Sequence, residues 1–282
     1  MAAPAIEVDG LHKHYKDVRA LDGVSFGVEA GEIFGLLGHN GAGKTTTIRI
    51  LTGRARPTQG RARVAGHDPW TDRALVRPLV NAVFEDQNLY ERLTGKENLA
   101  VFADLYAQPR SRVDELLELV GLTESGGRKV KSYSTGMRQR LLVARALVNR
   151  PKILFCDEPT RALDPVSARE VRDLLSQLAA EGTTVLLTTH DLEDADTLCR
   201  RVAFISQGRI VACDTPRDLK LRYGERTATV LLEDRTEHVL DLAASADARR
   251  LGTWMRAGQV LSLHSNEGTL EDVFLALAGR PL

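Results

Sequence analysis

Val24, Phe26 and Val28 alternate with Ser25, Gly27 and Glu29. That is the period of a strand with one buried face. The stretch from Ile6 to about Gly31 reads as short strands joined by turns. The pattern then changes to a continuous apolar run, Ile33-Phe34-Gly35-Leu36-Leu37, which ends in Gly38. A helical pattern follows from Lys44 to Leu51, so this region reads as strand, glycine loop, helix.

From about Thr94 to Gly121 the pattern is helical, with Leu116, Leu119 and Val120 at i, i+3 and i+4. A loop rich in Gly, Ser and Lys, from Glu124 to Ser132, precedes a second helix over Gly136 to Asn149, which Pro151 stops. Ile153-Leu154-Phe155-Cys156 is apolar throughout, as in a strand covered on both faces. A helix from about Pro165 to Glu181 leads into another buried run, Thr184 to Leu187. Strands alternating with helices predict an α/β fold with a parallel sheet. After about Tyr223 the character changes. Ala228 to Glu233 and Val260 to Ser265 read as strands. Thr269 is placed as an N-cap with Asp272 three residues on. Leu270, Val273, Phe274 and Leu277 then form one helical stripe. The expected division is residues 1–222 and a small α+β lobe over 223–282.

The 282 residues carry 38 acidic and 38 basic side chains. This balance gives no sign of a nucleic-acid partner. Cys156, Cys199 and Cys213 lie far apart with no metal-type spacing, which suits a reducing compartment. The start, MAAPAIEVDG, lacks the basic and apolar regions of a signal peptide. No apolar stretch reaches the ~20 residues of a membrane span. Service to a membrane would therefore go through a partner.

Gly38-His39-Asn40-Gly41-Ala42-Gly43-Lys44-Thr45 matches G-x-x-x-x-G-K-[ST] in full. Glycines let backbone N–H groups turn inward around phosphate oxygens, and the following helix adds its positive end. Lys44 supplies a point charge to the terminal phosphates of a bound nucleotide. The Thr45 hydroxyl is a magnesium ligand candidate, and Thr46 adds a hydroxyl contact. Downstream, Asp157 and Glu158 end a buried strand, where ligands of open α/β sheets bind. Asp157 suits Mg2+, and Glu158 suits polarising the water that attacks the γ-phosphorus. Cys156, inside the apolar run, is a core residue.

Three further pieces are weak when taken singly. Ser134-Thr135-Gly136 is a helix start with free N–H groups. His190, after Thr188-Thr189, could be structural, and Tyr15 is a lone aromatic. Their order is the stronger signal. P-loop, Ser-x-Gly helix start, Asp-Glu strand, Ala162-Leu163-Asp164 and Thr-His run in one direction along one chain. Over roughly Ile6 to Leu219 the sequence resembles the nucleotide-binding domain of the ABC transporter family.

That resemblance implies a P-loop NTPase core with an antiparallel β subdomain and a helical subdomain at about 91–150. It assigns Tyr15 to adenine stacking, 38–46 to the Walker A loop and 133–137 to the signature motif. Asp157 and Glu158 become Walker B and its catalytic glutamate, Asp164 the D-loop acid, and His190 the γ-phosphate switch. It also implies a second copy of the cassette, whose signature motif closes over the first copy's ATP. Two motifs depart from the family. The signature, usually Leu-Ser-Gly-Gly-Gln, reads Tyr133-Ser134-Thr135-Gly136-Met137. The position of the family's glutamine near the metal is Glu85, an acid able to bind the metal or a water, with Gln87 an alternative if the loop shifts.

The variant signature, the 89–99 segment and the ending Thr269-Leu270-Glu271-Asp272-Val273-Phe274 resemble the ATPase subunit of ABC-2-type exporters. This subunit works at the cytoplasmic face of the membrane with a separately encoded permease. The alternative is a soluble ABC ATPase acting on nucleic acid, ribosomes or cofactor assembly. Such proteins usually carry two cassettes, a long coiled-coil insertion or basic arms, and none is visible here.

Overall fold

The computed structural model describes residues 3–84, 89–224, 227–266 and 268–278. It divides into two compact units, Met1–Cys213 and Asp214–Leu282.

The first unit begins with β1 (Ile6–Tyr15) and β2 (Val18–Val28). After β3 (Ile33–Leu37) and α1 (Lys44–Leu51), β4 (Gln59–Val64) returns to pair with β1. The resulting sheet has the order β2-β1-β4 and is antiparallel. Register puts Ile6 opposite Val28 and Val64, and Val8 opposite Phe26 and Ala62. All six are buried, so the alternation of apolar residues selects one face of this sheet for the core.

A short helix α2 (Arg73–Val76) leads to β5 (Val80–Val83). The helical segment follows as α3 (Gly95–Leu105), α4 (Ser111–Leu119) and α5 (Thr135–Ala146). The expected single helical stretch from Thr94 to Gly121 is two helices. Ala107 adopts φ 51°, and Pro109 cannot continue a helix, so the chain breaks between α3 and α4. Thr94 caps α3 reciprocally: its hydroxyl accepts from Glu97 N–H at 3.1 Å, and Glu97 Oε2 accepts from Thr94 N–H at 2.7 Å.

β6 (Ile153–Asp157), α6 (Pro165–Ala180), β7 (Thr184–Thr189), α7 (Leu192–Leu198), β8 (Arg201–Ser206) and β9 (Arg209–Asp214) complete the unit. They form a six-stranded sheet of order β5-β6-β7-β3-β8-β9. The pairs from β5 through β8 are parallel. β3, β6 and β7 are buried along their whole length, as their uninterrupted apolar runs require. Phe26 of β2 stacks on Phe34 of β3 at 5.2 Å between ring centroids, and one hydrophobic core joins both sheets.

In the second unit, β10 (Thr227–Leu232) lies between β11 (Glu237–Asp241) and β12 (Val260–Asn266) in an antiparallel sheet. α9 (Ser245–Arg256) covers it, with Leu251 and Trp254 against Val230, Leu232 and Leu240. α8 (Pro216–Tyr223) packs on α10 (Leu270–Ala278), which is why the division falls before α8 and earlier than the expected boundary at 222/223. Thr269 N–H donates to Asp272 Oδ2 at 2.7 Å, and Asp272 N–H donates to Thr269 Oγ1 at 3.1 Å. Leu270, Val273 and Phe274 are buried.

Candidate functional site: a phosphate loop at the ends of three adjacent strands

Parallel pairing places Leu37 opposite Thr189, and Asp157 opposite Thr188. The C-terminal ends of β3, β6 and β7 therefore open at one edge of the sheet. The residues that follow them, 38–46, Glu158 and His190, emerge there together. This is the ligand edge of an open α/β sheet.

The loop after β3 is shaped for inward N–H groups. Gly43 holds φ 117°, and a Cβ there would lie 2.6 Å from Leu21 and 2.7 Å from the Ala20 carbonyl. Only glycine fits. No side chain caps α1 at Gly43 among the described residues. The first N–H groups of α1 therefore point into the loop without a side-chain acceptor, which is the donor set a phosphate needs. A cleft of about 160 Å³ opens above it. Val18, Arg19 and Ala20 line one side, with His39, Asn40, Gly41, Gly43, Lys44, Thr45, Thr46 and Glu158 around the rest. Gly38 and Ala42 are buried beneath.

Lys44 is 6% exposed; its Nζ donates to Gly38 O at 2.5 Å and lies 3.1 Å from Glu158 Oε1. Glu158 Oε2 is held from the other side, 2.7 Å from His190 Nδ1 and 3.3 Å from the His190 N–H that donates to it. Glu158 itself sits at φ 53°, in the left-handed region, and its N–H donates to Thr188 O at 2.9 Å. A glutamate held in that conformation is backbone strain at the point where the site is built. Asp157 is buried, and Thr188 Oγ1 donates to its Oδ1 at 2.5 Å. Cys156 is wholly buried and its thiol is pushed up to about 12 by burial, which matches a core residue and excludes a thiolate nucleophile.

The cleft does not collect every expected residue. Tyr15 stands opposite Val18 in the β1–β2 hairpin but is not part of the lining; Lys13 Nζ lies 4.8 Å over its ring. Ser134, Thr135, Gly136 and Asp164 do not line it either. They form a second group. Ser134 caps α5, accepting from Met137 N–H at 3.2 Å. Asp164 caps α6, accepting from Val166 N–H, Ser167 N–H and the Ser167 hydroxyl at 3.1, 3.0 and 2.7 Å. The Ser167 hydroxyl is the largest of the influences that hold the Asp164 carboxyl below its usual range. A Cβ on Gly136 would meet Ser167 Oγ at 2.2 Å, so the start of α5 is bolted to the start of α6. Glu85 and Gln87 lie outside the described residues.

Sequence reasoning missed Thr188, which orients Asp157, and the cleft wall formed by Val18 and Arg19. Thr188 directly precedes Thr189-His190, and a hydroxyl at the end of an apolar strand was its only signal.

The chain is 42% identical to the Fluoroquinolones export ATP-binding protein of Mycobacterium tuberculosis (strain ATCC 25618 / H37Rv), across 98% of this chain and 94% of that protein. Residues 21–161 match the family model described as ABC transporter. The chain belongs to the ABC transporter family. Binding and hydrolysis of ATP are the chemistry of such a cassette. Other relatives are the Daunorubicin/doxorubicin resistance ATP-binding protein DrrA of Streptomyces peucetius, at 39% identity over 98% of this chain and 93% of that protein, and the Nod factor export ATP-binding protein I of Paraburkholderia xenovorans (strain LB400), at 39% over 100% and 99%. Among solved structures, the ATP binding subunit of an ABC transporter superposes with TM-score 0.70 at 29% identity, covering 78% of this chain and 93% of that one. A dimeric ATP-binding cassette in a post-hydrolysis state with ADP and Pi superposes at 0.68 and 28% identity, covering 74% and 98%. This chain shares its α/β P-loop architecture with these solved cassettes.

Proposed function

We propose that this ABC protein is the ATP-hydrolysing motor of an ABC-2-type exporter and drives a separate membrane permease through closure of two cassettes. The observation that carries the hydrolytic part is the line Lys44–Glu158–His190. His190 anchors Oε2 of Glu158, which turns Oε1 into the phosphate cleft beside Lys44. A water there is aligned for the γ-phosphorus, and Glu158 takes its proton as the bond to the β–γ bridging oxygen breaks. Lys44 and the N–H groups of α1 hold the phosphates meanwhile. The Thr45 hydroxyl and the free oxygen of Asp157 fit Mg2+, a hard cation that uses few protein ligands and completes its shell with phosphates and water. When bound it neutralises charge on the phosphate oxygens.

Closure of two copies is supported by the placement of Ser134, Thr135, Gly136 and Asp164. They are bolted together on α5 and α6 and stay out of the chain's own cleft. A second copy's phosphate then meets the capped N-terminus of α5. The membrane part rests on relatives whose names state export or drug resistance. No described helix is long and apolar enough to cross a membrane. In this reading the permease holds the motor at the cytoplasmic face. No observation favours a soluble ATPase acting on nucleic acid.

Glu158→Gln tests the core of this reading. The amide keeps the size and loses the base, so ATP turnover falls about 100-fold or more while ATP still binds. Equal turnover for the variant and the native protein removes Glu158 from its role. Affinity capture of the full chain from solubilised membranes tests the remainder: it recovers a multi-span protein, and repeated recovery of none ends the exporter reading.

A further inference from the structure

Behind the phosphate cleft lies a buried charge that hydrolysis itself does not use. Asp194, in the first turns of α7, is fully buried. Its Oδ2 accepts a hydrogen bond from the Thr160 hydroxyl, and Thr160 stands two residues after Glu158. Its Oδ1 lies 3.3 Å from Nε of Arg172 on α6, and Arg172 Nη1 reaches Glu193 Oε1 at 2.6 Å. Three segments thus meet at one carboxylate: the turn leaving β6 with Glu158, the helix that Asp164 caps, and the helix that begins immediately after His190.

Two features separate this cluster from an ordinary staple. First, it is badly satisfied. Asp194 Oδ1 and Arg172 Nε are both buried without an aligned hydrogen bond. Burial pushes the Asp194 carboxyl up to about 6, because Thr160 and Arg172 only partly offset desolvation, with Asp191 and Glu193 adding to the rise. A well-packed apolar side chain would hold the helices at lower cost. Second, the turn it grips is strained. Glu158 and Ala162 both take left-handed φ, 53° and 58°, on either side of Thr160. Such conformations persist only where surrounding contacts fix them.

We propose that Asp194 is a positioning residue: through Thr160 and Arg172 it locks the Glu158 turn to the base of the His190 helix, so that Glu158 and His190 face the terminal phosphate as one rigid pair. The proposal rests on the assignment of Glu158 and His190 to hydrolysis. Asp194 is buried and does not line the phosphate cleft. It acts on the 2.7 Å contact between Glu158 Oε2 and His190 Nδ1.

The test uses the full chain carrying Thr160→Val, Thr160→Ser or Asp194→Asn. Two readouts are taken: steady-state ATP hydrolysis, and the 15N signal of the His190 ring, assigned with His190→Gln, which reports the hydrogen bond at Nδ1. Thr160→Val keeps the volume and deletes the hydroxyl. The expected result is a kcat about tenfold lower for Thr160→Val and Asp194→Asn, KM for ATP within about twofold, and a His190 Nδ1 signal moved towards that of a solvated imidazole. Thr160→Ser behaves as the native protein. An unmoved His190 signal in Thr160→Val overturns the proposal, as does equal damage by serine and valine. Should Asp194→Asn not fold, the serine–valine pair decides alone. Glu158→Gln serves as the control. If it leaves turnover intact, the hydrolytic assignment fails, while the His190 signal still reports whether Thr160 fixes the pair.

Discussion

Restoring the family's usual leucine at the first signature position should harm this protein. Tyr133 is 5% exposed, and its hydroxyl donates to Ser125 O at 2.7 Å. The hydroxyl end occupies a space that Gly95 leaves: a Cβ there would lie 2.3 Å from Oη and 3.3 Å from Cζ. Burial raises the phenol above its ordinary range, so it remains a neutral donor. Tyr133→Leu removes one hydrogen bond, about 1 kcal/mol, and leaves a gap where the outer ring was, about 1–3 kcal/mol more. A total near 2–4 kcal/mol corresponds to a fall of roughly 5–15 °C in the melting temperature of a domain this size. Tyr133→Phe deletes the hydroxyl alone and should cost about a third of that. The assay is thermal unfolding followed by circular dichroism, with Gly95→Ala added to each background. On the native background the alanine Cβ collides with Oη; on the leucine background it fills part of the gap, so its effect improves or changes sign. A leucine variant that melts within about 2 °C of the native protein refutes the argument. So does a phenylalanine variant as damaged as leucine.

Two further perturbations follow from the site. Lys44→Ala deletes the cation nearest the phosphates and leaves Glu158 Oε1 facing them without its 3.1 Å partner, so ATP affinity measured by calorimetry should fall at least about 30-fold; a loss below about threefold contradicts the role. Asp194 should make stability fall as pH rises. Its carboxyl binds protons more tightly folded, at about 6, than unfolded, near 3.8, so its contribution is fully present below about pH 4 and is lost as pH passes 6. At about 1.4 kcal/mol per tenfold change in proton affinity, the difference in unfolding free energy between native protein and Asp194→Asn should shift by up to roughly 3 kcal/mol across that window. The charged groups facing Asp194 are Arg172 from α6, Glu193 from α7 and Asp191, the N-cap of α7. A difference independent of pH would show that Asp194 does not titrate there.

Elements with a strong local pattern were legible in the sequence. The helix from Lys44 to Leu51 has the expected bounds because a glycine loop and an apolar strand frame it. The buried strands β6 and β7 announce themselves by uninterrupted apolar runs. β11 and α9 were not found. β11 buries only Leu240 fully, so its alternation is faint; α9 carries a short stripe, Leu251 and Trp254 at i and i+3, which the reading of the sequence passed over. The break between α3 and α4 was legible in the sequence, since Pro109 and the polar run Gln108 to Arg112 interrupt the apolar spacing, and reading 94–121 as helical passed over it.

The proposed catalytic arrangement depends on strand order more than on strand identity. β3 carries the phosphate loop, yet its neighbours in the sheet are β7 and β8, far away in sequence. β6 joins from the other side of β7. With β7 central, His190 leaves the sheet between Glu158 and Lys44, and a single histidine can brace the glutamate whose other oxygen faces the lysine. Exchanging β6 and β7 would keep every motif and leave those two strands adjacent, but it would place β6 beside β3 and take His190 out from between Glu158 and Lys44. The same adjacency brings Thr160 and Asp194 together, since each lies just beyond the end of one of these two strands. Local pattern can identify such residues as candidates, but only sheet topology makes them partners.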